Sequence, residues 1–213
     1  EAPVDYRLNM QIILSDSLTD QNLIDFKSKL TVRSIDRQIS DESIMAFAKT
    51  LDSSKAKIHG FKNPTELSDN ELLQLGTSTI EITKDSLASA MKSAPAGKAY
   101  IVLPYDTSDG FLKLDWETQP HADNYFMQTA HIAESRKKEI VDLFLGIETD
   151  TNRKFVKNFQ KTLNNVPKPV ICGSDAHRFS DYGKYPSNKA TWIKANPTFH
   201  GFEQIIYEPR ERV

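Results

Sequence analysis

Short apolar runs recur through the second half of the chain, and each is separated from the next by a stretch with helical spacing. Ala99–Leu103 (Ala-Tyr-Ile-Val-Leu), Val141–Leu145 and Pro169–Cys172 read as strands, and Thr191–Lys194 as a further one. Between the first three, His121–Arg136 and Arg153–Leu163 read as helices, with Phe155, Val156, Phe159 and Leu163 on one face of the second, and Thr198–Tyr207 reads as a helix after the last strand. Alternation of this kind predicts an α/β fold with a mainly parallel sheet or barrel. Upstream, residues 8–14 read as a buried strand that ends at Ser15 and Asp16. Helices are expected over 18–30, with Ser17 or Thr19 as N-cap, over 40–50, and over 64–75 with a stop at Gly76. Thr77–Thr83 reads as a short β-branched strand and Lys84–Ser93 as a helix. Residues 31–97 are more helical and less regular, and are expected to form an insertion or lid.

Composition narrows the function classes. The 213 residues include 27 basic and 29 acidic ones, a net charge of −2. That excludes the whole-chain basic signature of a protein that coats nucleic acid, while a local basic site stays open. A hydrophobic fraction of 38% is too high for disorder. The single cysteine, Cys172, excludes an internal disulfide and points to a reducing compartment, the cytoplasm. No apolar run approaches the roughly 18 residues of a membrane span, so no membrane partner is expected. The chain opens Glu-Ala-Pro-Val-Asp, without an initiator Met or a signal peptide's apolar region. It is read as a piece of a longer protein.

Two loops carry candidate chemistry. In Val170-Ile171-Cys172-Gly173-Ser174-Asp175-Ala176-His177, an apolar strand runs into a Gly-Ser turn that presents an Asp and a His two residues apart. Functional groups of α/β folds gather at the C-terminal ends of strands. Asp175 and His177 there offer a hard oxygen and an imidazole nitrogen to one cation, a mixture that Zn, Mn and Fe accept. Gly173 would let the backbone turn tightly, and Ser174 could fix the carboxylate. The residues alone equally allow Asp175 to be a cap and His177 a surface histidine. Arg178 suits a phosphate oxygen, or is an exposed arginine. Asp181, Tyr182, Lys184 and Tyr185 continue a polar loop that could touch substrate or be solvated filler.

The second loop, Pro104–Pro120, leaves the strand at 99–103 with Tyr105, Asp106 and Asp109. In a parallel sheet these share an edge with Asp175, where carboxylates three apart can ligate a metal or act as a base. Asp-x-x-Asp-Gly is also ordinary turn composition. His59, His121, His131 and His200 are isolated, and a lone histidine is more often structural than a ligand.

The C-terminal strings resemble the end of a PHP (polymerase and histidinol phosphatase) domain. They are Pro169–His177, then Lys189-Ala190-Thr191-Trp192-Ile193-Lys194-Ala195-Asn196-Pro197-Thr198-Phe199, Ile206-Tyr207-Glu208-Pro209 and Arg212-Val213. They are most similar to TrlF-type proteins, in which such a domain precedes an SMC-like ATPase. The resemblance covers about the last 45 residues well; the middle agrees in layout only. It implies a distorted (β/α)7 TIM-like barrel, here incomplete at its N-terminus, with one or more divalent metals at the strand ends. It implies hydrolysis of phosphate esters of nucleic acid or nucleotides, with metals that polarise the phosphoryl group and activate water. The ligands of the family's last motif fall on Asp175 and His177. Asp106 would be a further catalytic ligand, and Arg178 and Tyr105 would touch substrate.

The chain also departs from that pattern. The family's first strand carries His-x-His, and no His-x-His occurs in these 213 residues. A further histidine expected near Gln11 is absent, and glutamine is a poor metal ligand. The strand that often supplies another histidine ends Leu103-Pro104-Tyr105-Asp106. Either Asp106 replaces that ligand, or the centre is degenerate and the domain regulates or recruits its partner ATPase. An unrelated α/β domain whose Asp-x-His is a turn accident is the third reading.

Overall fold

The structure, a computed structural model, describes residues 7–106, 110–113, 120–174, 176, 178–185 and 189–213. The chain divides into two compact units. One holds the first strand, β1 (Gln11–Leu14), together with Ala99–Val213; the other is Ser17–Lys98.

The inserted unit is helical, and its helix starts follow from capping residues. It comprises α1 (Asp20–Lys29), a hairpin of β2 (Thr31–Val32) and β3 (Arg37–Gln38), α2 (Asp41–Thr50), α3 (Ser53–Ile58), α4 (Asp69–Thr79) and α5 (Lys84–Ser93). Thr19, Ser40 and Ser68 each close a capping box with the residue three positions on, so both otherwise unpaired backbone donors find an acceptor. Of the two N-caps considered for α1, Thr19 is the one used. Ala48, Ala56, Leu72 and Leu75 form this unit's core, with Met45, Leu51, Phe61 and Leu67 packed around them. The helical segment read over 31–97 lies within the unit, which begins earlier because α1 packs on α5.

Two expectations fail in this unit. Gly76 does not stop α4 but sits inside it. A Cβ there would lie 2.5 Å from Ile44 Cγ2 and 2.6 Å from Ile44 O, so glycine permits the close approach of α2 to α4. Thr77–Thr83 is not a strand. Its first half completes α4, and Ile82 makes one antiparallel bridge to Val32. Thr79 Oγ1 donates to Leu75 O at 2.6 Å, which lets a β-branched residue end a helix.

The other unit is built on a four-stranded sheet of order β1-β4-β5-β6, with β4 (Ala99–Pro104), β5 (Ile132–Glu134) and β6 (Val170–Ile171). β4–β5 and β5–β6 pair in parallel, with Val102 opposite Ile132 and Ala133 opposite Val170. β1 is antiparallel to β4, Gln11 opposite Val102. All six residues of β4 are buried, as for a central strand covered on both faces. The apolar run at β1 predicts a buried strand; it is instead an edge strand with an exposed Gln11 and half-buried Ile12–Leu14. Helices α6 (Pro120–Thr129), α7 (Lys138–Leu145), α8 (Val156–Thr162), α9 (Phe199–Tyr207) and α10 (Pro209–Arg212) complete the unit. On one face Val102 and Ile132 bury Ile205 of α9, with Ile171, Phe202 and Ile206 around them.

The fold is therefore α/β with a small mixed sheet. Among the described residues the paired strands form an open sheet, and β1 lacks the all-parallel order of a (β/α) barrel. Three further segments differ from expectation. The segment 121–136 is not one helix: α6 ends at Thr129, and the chain re-enters the sheet as β5. Val141–Leu145 is the end of α7, closed by Gly146 at φ 68°. A Cβ at Gly146 would also meet Gln160 Cδ at 3.0 Å. Thr191–Lys194 pairs with no strand; Thr191 Oγ1 instead accepts the Cys172 N–H at 2.8 Å.

Side chains satisfy the carbonyls that α6 and α7 leave open at their C-termini. Gln160 Nε2 donates to Leu143 O at 2.7 Å and Arg210 Nε to Leu145 O at 2.8 Å. Lys168 is buried, and its ammonium donates to Met127 O at 2.6 Å, Gln128 O at 3.0 Å and Ala130 O. This cation at a helix C-terminus meets the negative end of the helix dipole. It also fixes the chain two residues before β6.

Candidate functional site

Because β4, β5 and β6 are parallel, their C-terminal ends share one edge. Tyr105 and Asp106 leave β4 there, Ser135–Lys137 leave β5, and Cys172–Ser174 leave β6. The Tyr105 N–H donates to Glu134 O at 3.0 Å, and the Ser135 N–H to Ile171 O at 3.1 Å, so the pairing extends past the strand ends.

Tyr105 is expected from the sequence to touch substrate. Its ring is instead buried, packed against Phe111 (5.9 Å between centroids), Phe144 (5.0 Å) and Phe159 (6.4 Å). The ring thereby anchors the backbone that carries Asp106. Asp106's side chain is only 7% exposed, and Lys137 Nζ lies 3.1 Å from its Oδ2. Lys137 is 60% exposed, so water screens the pair and its contribution to stability is about 1 kcal/mol at most. The Lys137 N–H donates to Ser135 Oγ at 3.0 Å, which shapes the turn after β5.

Cys172 is bound to the returning chain. Its N–H reaches Thr191 Oγ1, and its Sγ lies 3.7 Å from Lys189 O. Lys189 Nζ in turn donates to Arg136 O at 2.9 Å. Gly173 is not required by the backbone: its φ lies outside the left-handed region, and a Cβ there meets nothing within 4 Å among the described residues. Arg178 is exposed and precedes a 3-10 turn, Phe179–Asp181. Asp175, His177 and Asp109 lie outside the described residues, as does the side chain of His121.

His131 stands apart from this edge. It precedes β5 at the opposite end of the sheet, where Nδ1 accepts the Ile101 N–H at 3.1 Å. Burial, with the Lys168 charge, holds its pKa below the usual histidine range, so it is neutral at pH 7. Tyr100, at the same end, donates to Glu203 Oε1 at 2.5 Å; burial pushes its phenol far up. His59 and His200 are exposed.

A structural or catalytic metal of the implied kind takes three or four protein donors. Among the described residues no three His, Cys, Asp or Glu side chains converge into such a group. Asp106 fits as one oxygen donor, being buried at the strand edge with a partner ammonium that can turn out to water. The other expected ligands are Asp175 and His177.

Lys137 carries no signal in the sequence, because helical spacing across 121–136 conceals the strand that places it. Recognising Ile132-Ala133-Glu134 as a strand would put Lys137 at the edge shared with Asp106.

Comparison of the chain with family models, curated proteins and solved structures found no match. No helix among the described residues is long and apolar enough to cross a membrane.

Proposed function

We propose that the chain is a divalent-metal-dependent phosphoesterase acting on phosphate esters of nucleic acid or nucleotides. In this reading it is a PHP-type domain of a cytoplasmic protein that also carries an SMC-like ATPase. Supporting it is the common edge: Asp106 after β4 and Cys172–Ser174 after β6 leave the same end of the parallel part of the sheet, with β5 between them. The reading includes a distorted (β/α)7 barrel with β4–β5–β6 as its parallel part; β1 stands outside that pattern.

Each residue then has a role. Asp106, Asp175 and His177 would hold zinc, manganese or iron. When bound, such an ion polarises a phosphoryl oxygen and lowers the pKa of water. The Tyr105 ring fixes the position of Asp106. Arg178 and Lys137 carry the positive charge that a phosphate oxygen needs at this edge. The test is hydrolysis of bis(p-nitrophenyl) phosphate with added manganese. Asp106→Asn keeps the side chain's shape and removes its charge, and it should lower the rate at least about ten-fold. An unchanged rate, or no hydrolysis by the parent chain, would remove the assignment.

The Lys137–Asp106 ion pair favours a second reading: a domain that has lost catalysis and regulates its ATPase partner. An ammonium at 3.1 Å occupies a carboxylate oxygen that a metal would need. That reading predicts no phosphodiester turnover and an ATPase rate that changes when this domain is removed from the intact protein.

A further inference from the structure

The chain leaves β6 at Cys172, makes an excursion, and returns beside Cys172 at Lys189–Thr191. The described part of that excursion and the stretch just after it are rich in exposed rings. Phe179 is fully exposed, Trp192 87%, Tyr182 81% and Tyr185 44%. Leaving four large rings in water forgoes the stabilisation that burial would give, about 2 kcal/mol for each ring. Among the described residues no contact between two rings is found for any of the four, in contrast to the packed cluster around Tyr105.

Charge is concentrated in the same stretch of sequence. From Arg178 to Lys194 the sequence has four cations and one carboxylate, Asp181, in a chain of net charge −2. Lys184 and Lys194 are exposed, as is Arg178. The segment therefore suits a flexible polyanion with flat apolar groups. Duplex nucleic acid hides its base faces; a single strand offers them for stacking on aromatic rings. A membrane surface fits less well, because an interfacial anchor aligns its apolar side chains along one face of an amphipathic helix. Here the rings lie in a 3-10 turn and in irregular backbone.

We propose that Arg178–Tyr185 and Lys189–Lys194 form a binding surface for single-stranded nucleic acid. Phe179, Tyr182 and Trp192 stack on bases, while Arg178, Lys184 and Lys194 meet phosphates. The proposal deepens the phosphoesterase reading by naming the form of its substrate. Binding is independent of turnover, so the two are tested separately.

The experiment is fluorescence anisotropy of labelled oligo(dT) of about 15 nucleotides, a length that spans a typical single-strand site. It uses the full chain in EDTA, at about 50 and 200 mM salt. Phe179→Ala, Tyr182→Ala and Trp192→Ala should each weaken binding about five-fold or more. Lys184→Ala with Lys194→Ala should flatten the log–log salt slope by about 1.4, at roughly 0.7 for each phosphate that is no longer neutralised. All these side chains are exposed, so the variants should keep the parent's circular dichroism. The proposal is overturned if the folded ring variants bind like the parent, or if a duplex of the same length binds equally well. It is also overturned if the parent ignores the oligonucleotide and binds phosphatidylserine vesicles instead. Parental binding with no hydrolysis of any phosphodiester would strike the phosphoesterase reading and leave this one standing.

Discussion

Replacing Lys168 with methionine keeps the side chain's apolar stem and removes its ammonium. Three carbonyls at the end of α6, those of Met127, Gln128 and Ala130, then lose a charged donor. A buried acceptor left without a partner costs about 1–3 kcal/mol, and helix-end carbonyls keep some access to alternative donors, so the total should be about 3–5 kcal/mol at neutral pH. The pH dependence supplies a second number. Burial lowers the Lys168 pKa from 10.5 to about 8. Between those values the unfolded chain binds more protons than the folded one, so the Lys168 contribution to stability rises with pH. It should grow by about 2 kcal/mol from about pH 7 to about pH 9.5, and the Lys168→Met variant lacks this gain. The assay is urea unfolding of both proteins at the two pH values, with m-values compared to check that the same surface is exposed. A loss below about 1 kcal/mol at neutral pH would show that this side chain does not hold the end of α6, and a gap between the proteins that does not widen with pH would show that burial does not lower the Lys168 pKa.

Other consequences are simpler to measure. Tyr105→Ala should cost about 3–5 kcal/mol in urea unfolding, because it opens a cavity among Phe111, Phe144 and Phe159. Gly146→Ala should destabilise by about 1–2 kcal/mol through its left-handed φ, whereas Gly173→Ala should change stability by less than about 0.5 kcal/mol. Lys137→Met removes the ammonium that competes for Asp106, so manganese affinity measured by calorimetry should rise; a fall or no change would mean that Asp106 is not a ligand.

Local signals carried the parts of the fold that local physics decides. Thr19 and Ser40 mark the starts of α1 and α2 because hydroxyl caps act within one turn. β4 is legible because a covered central strand is apolar throughout. The departures have a common cause in context. Val141–Leu145 is as apolar as a strand, and what makes it helical is the Gly146 terminus and the side chains of Gln160 and Arg210 on its last carbonyls. β5 has three residues and no turn signal before it, so its strand state depends on pairing with both β4 and β6. Gly76 resembles a helix stop, and its true role emerges only with Ile44 against it. At the candidate site the sequence placed Asp106 and Gly173 just after strands, as observed. Neither the Lys137 ammonium on Asp106 nor the inward packing of Tyr105 is legible there, since both are consequences of long-range packing.

Whether this strand edge holds a metal is settled by metal content. The purified chain, loaded with manganese or zinc and desalted, is analysed by plasma mass spectrometry beside the Asp175→Ala, His177→Ala double variant. Metal should be bound in near-stoichiometric amount in the parent and be lost from the folded variant. Equal metal in both proteins, or none in either, would contradict the assignment of Asp175 and His177 as ligands.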